Sequence, residues 1–223
     1  MEIKTLLNHL NIPSEKRFKS IKTKEAEFMN HWVKDHEIKF TLETGLAFGV
    51  SACSIMSAHE GRHTCIDPYQ EKGFQNTGLK NLASLGFSER VDFYEEFSDL
   101  VLPKLLMENK KYDFAFIDGN HLYDGIFLDF YYIDKLLLNK GYILFHDSWM
   151  RGTQLVASFI KKNRKDYQQI RCPIPNMILF QKIGIDQRKW DHFKEFYTWK
   201  NILLHQLVSR IPKKINNLLF YRT

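Results

Sequence analysis

Cysteine is scarce in this chain: three residues, Cys53, Cys65 and Cys172, among 223. None forms a C-x-x-C pair, so neither a disulfide framework nor a structural zinc site is expected, and a reducing compartment suits the chain better. No apolar run is long enough for a membrane span, and no apolar core follows the first basic residues as in a secretory leader. The cytoplasm is the expected location. Repeats and low-complexity segments are missing too. The dinucleotide fingerprint G-x-G-x-x-G does not occur, which counts against a nicotinamide-dependent dehydrogenase. The formal charge of +6 would suit an acidic partner, but in the first half bases alternate with acids, as on an ordinary solvated surface.

What is present is a glycine turn behind a short apolar strand. Phe40, Thr41 and Leu42 read as buried strand, and Ile55 and Met56 suit a helix. Between them runs Glu43-Thr44-Gly45-Leu46-Ala47-Phe48-Gly49-Val50-Ser51. A strand that turns through glycines into a helix N-terminus is how α/β sheets hold nucleotide-like molecules. Glu43 stands just before the first glycine, where a carboxylate repels a pyrophosphate but pairs with a cation. The loop therefore suits a positively charged or uncharged nucleoside. Asp67 lies 22 positions after Gly45 (67 − 45), at the end of a strand over 64–68. An acid there is placed to accept hydrogen bonds from both ribose hydroxyls. The competing reading is a carboxylate that caps the turn before Pro68.

The alternation continues. Strands are expected at 91–94, 112–117 and 142–145, and helices at 23–35, 78–85 and 100–107. A further helix carries Ile126, Phe130, Ile133 and Leu137 and is stopped by Gly141. A helix over 154–162 and a hairpin ending near 182 follow, adding an antiparallel edge. This order predicts a Rossmann-like, doubly wound α/β fold with a mostly parallel sheet covered on both faces. Ligands then bind outside the C-terminal strand ends. Glu43, Asp67, Ser98, Asp118, His121, His146 and Asp147 all fall at such ends. Residues 1–22 read as a lead-in, 23–185 as the domain, and 186–223 as a basic C-terminal helical tail with an apolar stripe from Trp190 to Leu207. Such a tail suits a membrane surface, a partner, a homodimer interface or a fold back over the domain.

With these elements in place the chain resembles the class I S-adenosylmethionine-dependent methyltransferases, and within them the O-methyltransferase-like methyltransferase 24 family. The likeness rests on four stretches: residues 43–51, Ile66-Asp67-Pro68-Tyr69-Gln70, Phe116-Ile117-Asp118-Gly119-Asn120-His121-Leu122-Tyr123, and Leu144-Phe145-His146-Asp147. It implies a seven-stranded sheet whose seventh strand is antiparallel, with S-adenosyl-L-methionine as cofactor. It implies that Glu43, Gly45, Gly49 and Ser51 serve the methionine part, Asp67 the ribose and Ser98 the adenine, with Asp118 closing the methionine side. An oxygen acceptor must also lose a proton. In metal-dependent relatives magnesium is held by the acid after strand four and an adjacent pair after strand five. These positions are Asp118 and Asp147 here, with Ser148, a weak ligand, completing the pair. In the metal-free alternative His121 or His146 takes the proton. Both histidines would equally well cap strand ends.

The acceptor implied is a hydroxylated small molecule or a sugar or glycan precursor. Two other functions compete. A nucleic-acid methyltransferase would explain the charge. However, Asp118-Gly119-Asn120-His121 stands where the amino-methylating type carries Asn/Asp-Pro-Pro-Tyr/Phe, so nucleic acid is disfavoured as a partner. A degenerate methyltransferase fold used as a binding or scaffold module is the other. The intact Glu43, Asp67 and Asp118 speak against it.

Overall fold

The computed structural model describes residues 3–196; the rest of the expected apolar and basic tail lies outside them. Two helices, α1 (Ile3–His9) and α2 (Thr23–Asp35), lead into β1 (Phe40–Thr44). Then come α3 (Val50–Met56), β2 (Arg62–Ile66), α4 (Gln70–Phe74), α5 (Thr77–Ser84) and β3 (Val91–Tyr94). The second half runs α6 (Ser98–Met107), β4 (Tyr112–Ile117), α7 (Tyr123–Leu136) and β5 (Leu137–Phe145). It ends with α8 (Arg151–Asn163), β6 (Tyr167–Ile170) and β7 (Ile178–Lys182).

The strands form a seven-stranded sheet in the order β3-β2-β1-β4-β5-β7-β6. β1 to β5 pair in parallel, and β7 is antiparallel to both its neighbours. The expected doubly wound sheet with an antiparallel C-terminal strand is thus what the chain folds into. Strand order reverses between β1 and β4, and such a switch point opens a crevice at the C-terminal strand ends.

Side chains alternate between the two faces of each strand. Leu42, Ala115 and Ile117 pack with Ile126, Phe130 and Ile133 of α7 on one face. Phe114 and Phe116 meet Met29 and Val33 of α2 on the other. Cys65 joins Cys53 and Met56 of α3 and Leu6 of α1 on that second face. Burial on both sides explains why β4 reads as a nearly continuous apolar run.

Three local expectations change. Leu137 opens β5 instead of closing the preceding helix, and Gly141 lies inside the strand. Lys140 there is left-handed at φ 70, and the register with β4 shifts between Tyr112 and Phe114, the signature of a bulge. Residues 70–74 add a short helix that the sequence does not announce. Finally, no helix starts at Asp186: residues 186–196 run without helical structure. Asp186 accepts the Arg188 N–H at 3.1 Å, a local turn that competes with helix. Asn163 then straps the segment to α8, donating to the Lys194 carbonyl at 2.9 Å and accepting its N–H at 2.7 Å. No described helix is long and apolar enough to cross a membrane.

Candidate active site

Beyond β1 the chain turns through Gly45 (φ 91), Ala47 (φ 45) and Gly49 (φ 74) into α3. A Cβ on Gly45 would run into the carbonyl oxygen of Asp118, so the ends of β1 and β4 meet only because glycine stands there. The loop's inward N–H groups do not face open solvent. Leu46 N–H (3.0 Å) and Ala47 N–H (2.8 Å) donate to Oδ2 of Asp67, as does the Gln70 amide at 3.1 Å. Oδ1 accepts the Tyr69 N–H at 2.8 Å. Donors that could cradle a pyrophosphate are committed to a fixed carboxylate, so Asp67, not Glu43, makes the loop unfit for one. With Oδ2 crowded, Oδ1 has room for one further donor.

Glu43 is a correction. Its neighbour Thr44 faces α7, donating from Oγ1 to Asp129 at 2.9 Å. Strand alternation sends Glu43 to the opposite face, fully buried against His63 and Cys65. It does not line the cleft, so the expected contact with a methionine ammonium is not made from this position. Gly49 and Ser51 also stand off the cleft wall. A Cβ on Gly49 would meet the Gly78 carbonyl at 2.9 Å, and Ser51 is buried in the first turn of α3.

The cleft itself encloses about 1190 Å³ and brings together Gly45, Asp67, Ser98, Asp118, His121, His146 and Asp147. Pockets for one small ligand hold roughly 300–1,000 Å³, so two reactants fit side by side. Phe18, Tyr69, Phe97, Leu100 and Leu122 line it and are each at least half exposed, which makes its rim apolar. Ser98 opens α6. Its hydroxyl and that of Thr44 hydrogen-bond Asp129, but burial outweighs both bonds and pushes the Asp129 carboxyl up to about 6. Sequence reasoning missed Asp129, because an acid within an amphipathic helix reads as solvated.

Asp118 follows β4 and Asp147 follows β5. His121 Nε2 stands 3.3 Å from Asp147 Oδ2 and 3.7 Å from Asp118 Oδ1, and the three side chains offer ligand atoms within 4.8 Å of one another. Asp147 is left-handed (φ 49), a conformation aspartate accepts more readily than most residues. Trp149 Nε1–H (3.0 Å) and the Asn176 amide (3.3 Å) hold its Oδ1, which leaves Oδ2 toward His121. Ser148 turns away and donates to the Pro175 carbonyl at 2.7 Å. It is therefore His121, not Ser148, that completes a candidate metal set with Asp118 and Asp147. Two carboxylates and an imidazole fit a divalent cation, and the nitrogen suits manganese or zinc better than magnesium.

His146 is held among acids, with the Asn176 amide nitrogen 3.0 Å from its Nε2. Its Nδ1 lies 3.0 Å from Asp118 Oδ1 and its Nε2 3.4 Å from Glu25 Oε2. Burial opposes its charging, yet the hydrogen bonds to Asp118 and Glu25 and the Asp147 charge more than offset this and raise its pKa to about 10. Burial raises the Glu25 carboxyl, but the bond to His146 leads the opposing contacts that bring it below its ordinary value. Glu25 and Asn176 were not foreseen, since only tertiary packing brings them here. His121 is about half exposed, and its pKa is raised too, chiefly by the nearby Asp118 carboxylate.

Similarity to known proteins bears on the domain as a whole. Residues 42–148 match the family model Methyltransf_24, described as a methyltransferase domain. No curated protein matches the sequence. Among solved structures, the O-methyltransferase TomG from Streptomyces achromogenes, involved in tomaymycin synthesis and bound to S-adenosylmethionine, shares 16% identity over 82% of this chain and 95% of its own, with a TM-score of 0.65. An O-methyltransferase from Bacillus cereus with S-adenosylhomocysteine shares 14% over 82% of this chain and 90% of its own, TM-score 0.68. A methyltransferase from Podospora anserina, also with S-adenosylhomocysteine, shares 14% over 82% and 86%, TM-score 0.67. At these identities the likeness is one of fold.

Proposed function

We propose that this chain, whose residues 42–148 match the Methyltransf_24 methyltransferase domain, is an S-adenosylmethionine-dependent methyltransferase that methylates a hydroxyl of a small, largely apolar acceptor. The cofactor lies along the glycine loop. Asp67 Oδ1 accepts a ribose hydroxyl, and Asp118 faces the methionine ammonium. Tyr69 and Phe97, edge to face with centroids 6.0 Å apart, flank the adenine beside Ser98. The acceptor takes the other half of the cleft, between the apolar rim and the wall formed by Asp118, His121 and Asp147.

Methyl transfer is an in-line displacement at the sulfonium carbon, and holding the two reactants in contact removes much of the barrier. A divalent cation held by Asp118, His121 and Asp147 would supply charge that acidifies the acceptor hydroxyl. The chain's own residues fix the geometry. Charged His146, pinned between Glu25 and Asp118, orients Asp118; Trp149 and Asn176 aim Asp147 Oδ2 at the acceptor. If no cation binds, the proton goes to His121, the half-exposed histidine on that wall.

The observation that supports this reading is the convergence of Asp118, His121 and Asp147 on one wall of a cleft whose other wall is the glycine loop with Asp67. Two of the fold relatives are O-methyltransferases, which favours oxygen as the acceptor atom. The test is methyl-labelled cofactor with a panel of phenols, catechols and sugars, in chelator and with added manganese or magnesium. Transfer that chelator stops and metal restores is expected. Undiminished transfer in chelator moves the proton to His121. Failure to bind S-adenosylhomocysteine at all would make the fold a binding module.

A further inference from the structure

A second cluster of donor groups lies beneath the glycine loop, on the α3 face of the sheet. The β1–β2 register pairs Thr41 with His63 and Glu43 with Cys65, and alternation sends all four side chains to that face. Glu43, His63 and Cys65 are each fully buried. No N–H or O–H reaches either Glu43 oxygen, and His63 Nε2 has no hydrogen-bond partner. The Cys65 thiol is the one weak donor beside Glu43. Glu43 Oε1 and His63 Nε2 stand 3.7 Å apart, too far for a hydrogen bond. A carboxylate left this way in a protein core is costly, and native cores rarely tolerate it without a reason.

The neighbours of His63 leave its inner nitrogen free to ligate. Gly61 N–H donates to His59 Nδ1 at 2.9 Å, so neutral His59 carries its proton on Nε2, 3.3 Å from Thr41 Oγ1. The Thr41 hydroxyl donates a hydrogen bond to the Arg62 carbonyl at 3.4 Å. Its oxygen then accepts from His63 Nδ1–H at 2.7 Å, and His63 Nε2 is left with a lone pair aimed at Glu43. Metal-binding histidines are oriented by such a bond from the other ring nitrogen.

We propose that Glu43, His63 and Cys65 form a buried structural site for a zinc-class divalent cation, with one Glu43 oxygen, His63 Nε2 and Cys65 Sγ as its three protein donors. A carboxylate and a thiolate balance the ion's two charges, so the filled site is neutral in the core. Ligands about 2.0–2.3 Å from one ion lie roughly 3.3–3.7 Å apart in a tetrahedron, and the Glu43–His63 separation meets this. Thiolate and imidazole select zinc over magnesium or calcium. As the ion binds, the Cys65 S–H bond breaks, its proton leaves to solvent and a metal–sulfur bond forms, with no redox change. An enclosed site of this kind fills during folding. It would clamp β1 to β2 just ahead of Gly45 and Asp67. The lack of paired cysteines, which argued against structural zinc, does not weigh against a set with one.

The test uses the full chain, unfolded in chelator and refolded with or without zinc or cobalt. Stoichiometric zinc that resists EDTA in the folded state is expected, since the open Asp118, His121 and Asp147 set gives up its ion. Cobalt should produce a thiolate-to-metal absorption band. That band should vanish in Cys65→Ser and His63→Gln but persist in Asp147→Asn and Cys172→Ser. Zinc refolding should also raise the melting temperature above that of the metal-free protein. Substoichiometric metal with no cobalt band, a band that survives Cys65→Ser, or equal melting temperatures with and without zinc would each overturn the proposal. The wild-type refolding comparison decides the matter even if the variants do not fold.

Discussion

Two clusters of acids and histidines flank the same glycine turn, and their surroundings differ sharply. Asp118, His121 and Asp147 come after β4 and β5 have ended, where the chain has left the sheet. They are partly exposed, and Asp118 and Asp147 are held by His146, Trp149 and Asn176. Glu43, His63 and Cys65 belong to β1 and β2, where the pleat drives them into the core without N–H or O–H partners for Glu43. A polar residue just past a strand end can turn toward a ligand. One still within the strand obeys parity, and at Glu43 parity points away from the cleft.

The harshest way to break the ligand side is Gly45→Ala. The left-handed φ and the collision with Asp118 should cost on the order of 3 kcal/mol and abolish binding of S-adenosylhomocysteine; melting and calorimetry check both. A variant with native affinity would show that the approach of β1 to β4 does not shape the cleft. Asp147→Asn should sharpen the division of the cleft into two halves. Methyl transfer should fall about 10²–10⁴-fold while S-adenosylhomocysteine affinity stays within a few-fold. Equal losses in both would mean that cofactor and acceptor walls are not separate.

Asp129 gives a pH test from beneath the cleft floor. Its carboxyl is raised from 3.8 to about 6, so the folded state holds this proton more tightly than the unfolded chain. The penalty is full above pH 6 and disappears as pH falls toward 4, so this group makes the fold more stable on acidification, opposite to a salt-bridged carboxylate. Asp129→Asn should be more stable than wild type by about 2 kcal/mol at pH 7 and equal to it near pH 4. A pH-independent difference would assign the effect to packing. The smallest effect is expected from Asn163→Ala, which loses two bonds to Lys194. It should cost about 1 kcal/mol and speed proteolysis within 186–196 without changing cofactor affinity.

Strand and helix order was legible because β4 and the last four residues of β5 are short apolar runs that end at Asp118 and His146, and because a parallel sheet leaves few ways to connect them. The place of Asp67, Ser98, Asp118, His121 and Asp147 at the cleft was legible for the same reason: each lies in the loop after a strand or opens the next helix. Glu43 misled because it was read from its nearness to Gly45 and not from its parity within β1. The surroundings of His146 were not legible, because Glu25, on α2, is far away in sequence. Bulges such as the one at Lys140 and Gly141 leave no local mark strong enough to outweigh a glycine's usual role as a helix stop. The segment after Asp186 has the periodicity of a helix, but the pairing of Asn163 with Lys194 takes its backbone first.

Calorimetric titration with S-adenosylhomocysteine of wild type, Asp67→Ala and Glu43→Gln tests most directly where the cofactor lies. One-to-one binding by wild type, retained in Glu43→Gln and lost in Asp67→Ala, is the expected result. No heat from folded wild type at millimolar ligand, or binding lost in a Glu43→Gln variant that melts like wild type, would contradict it.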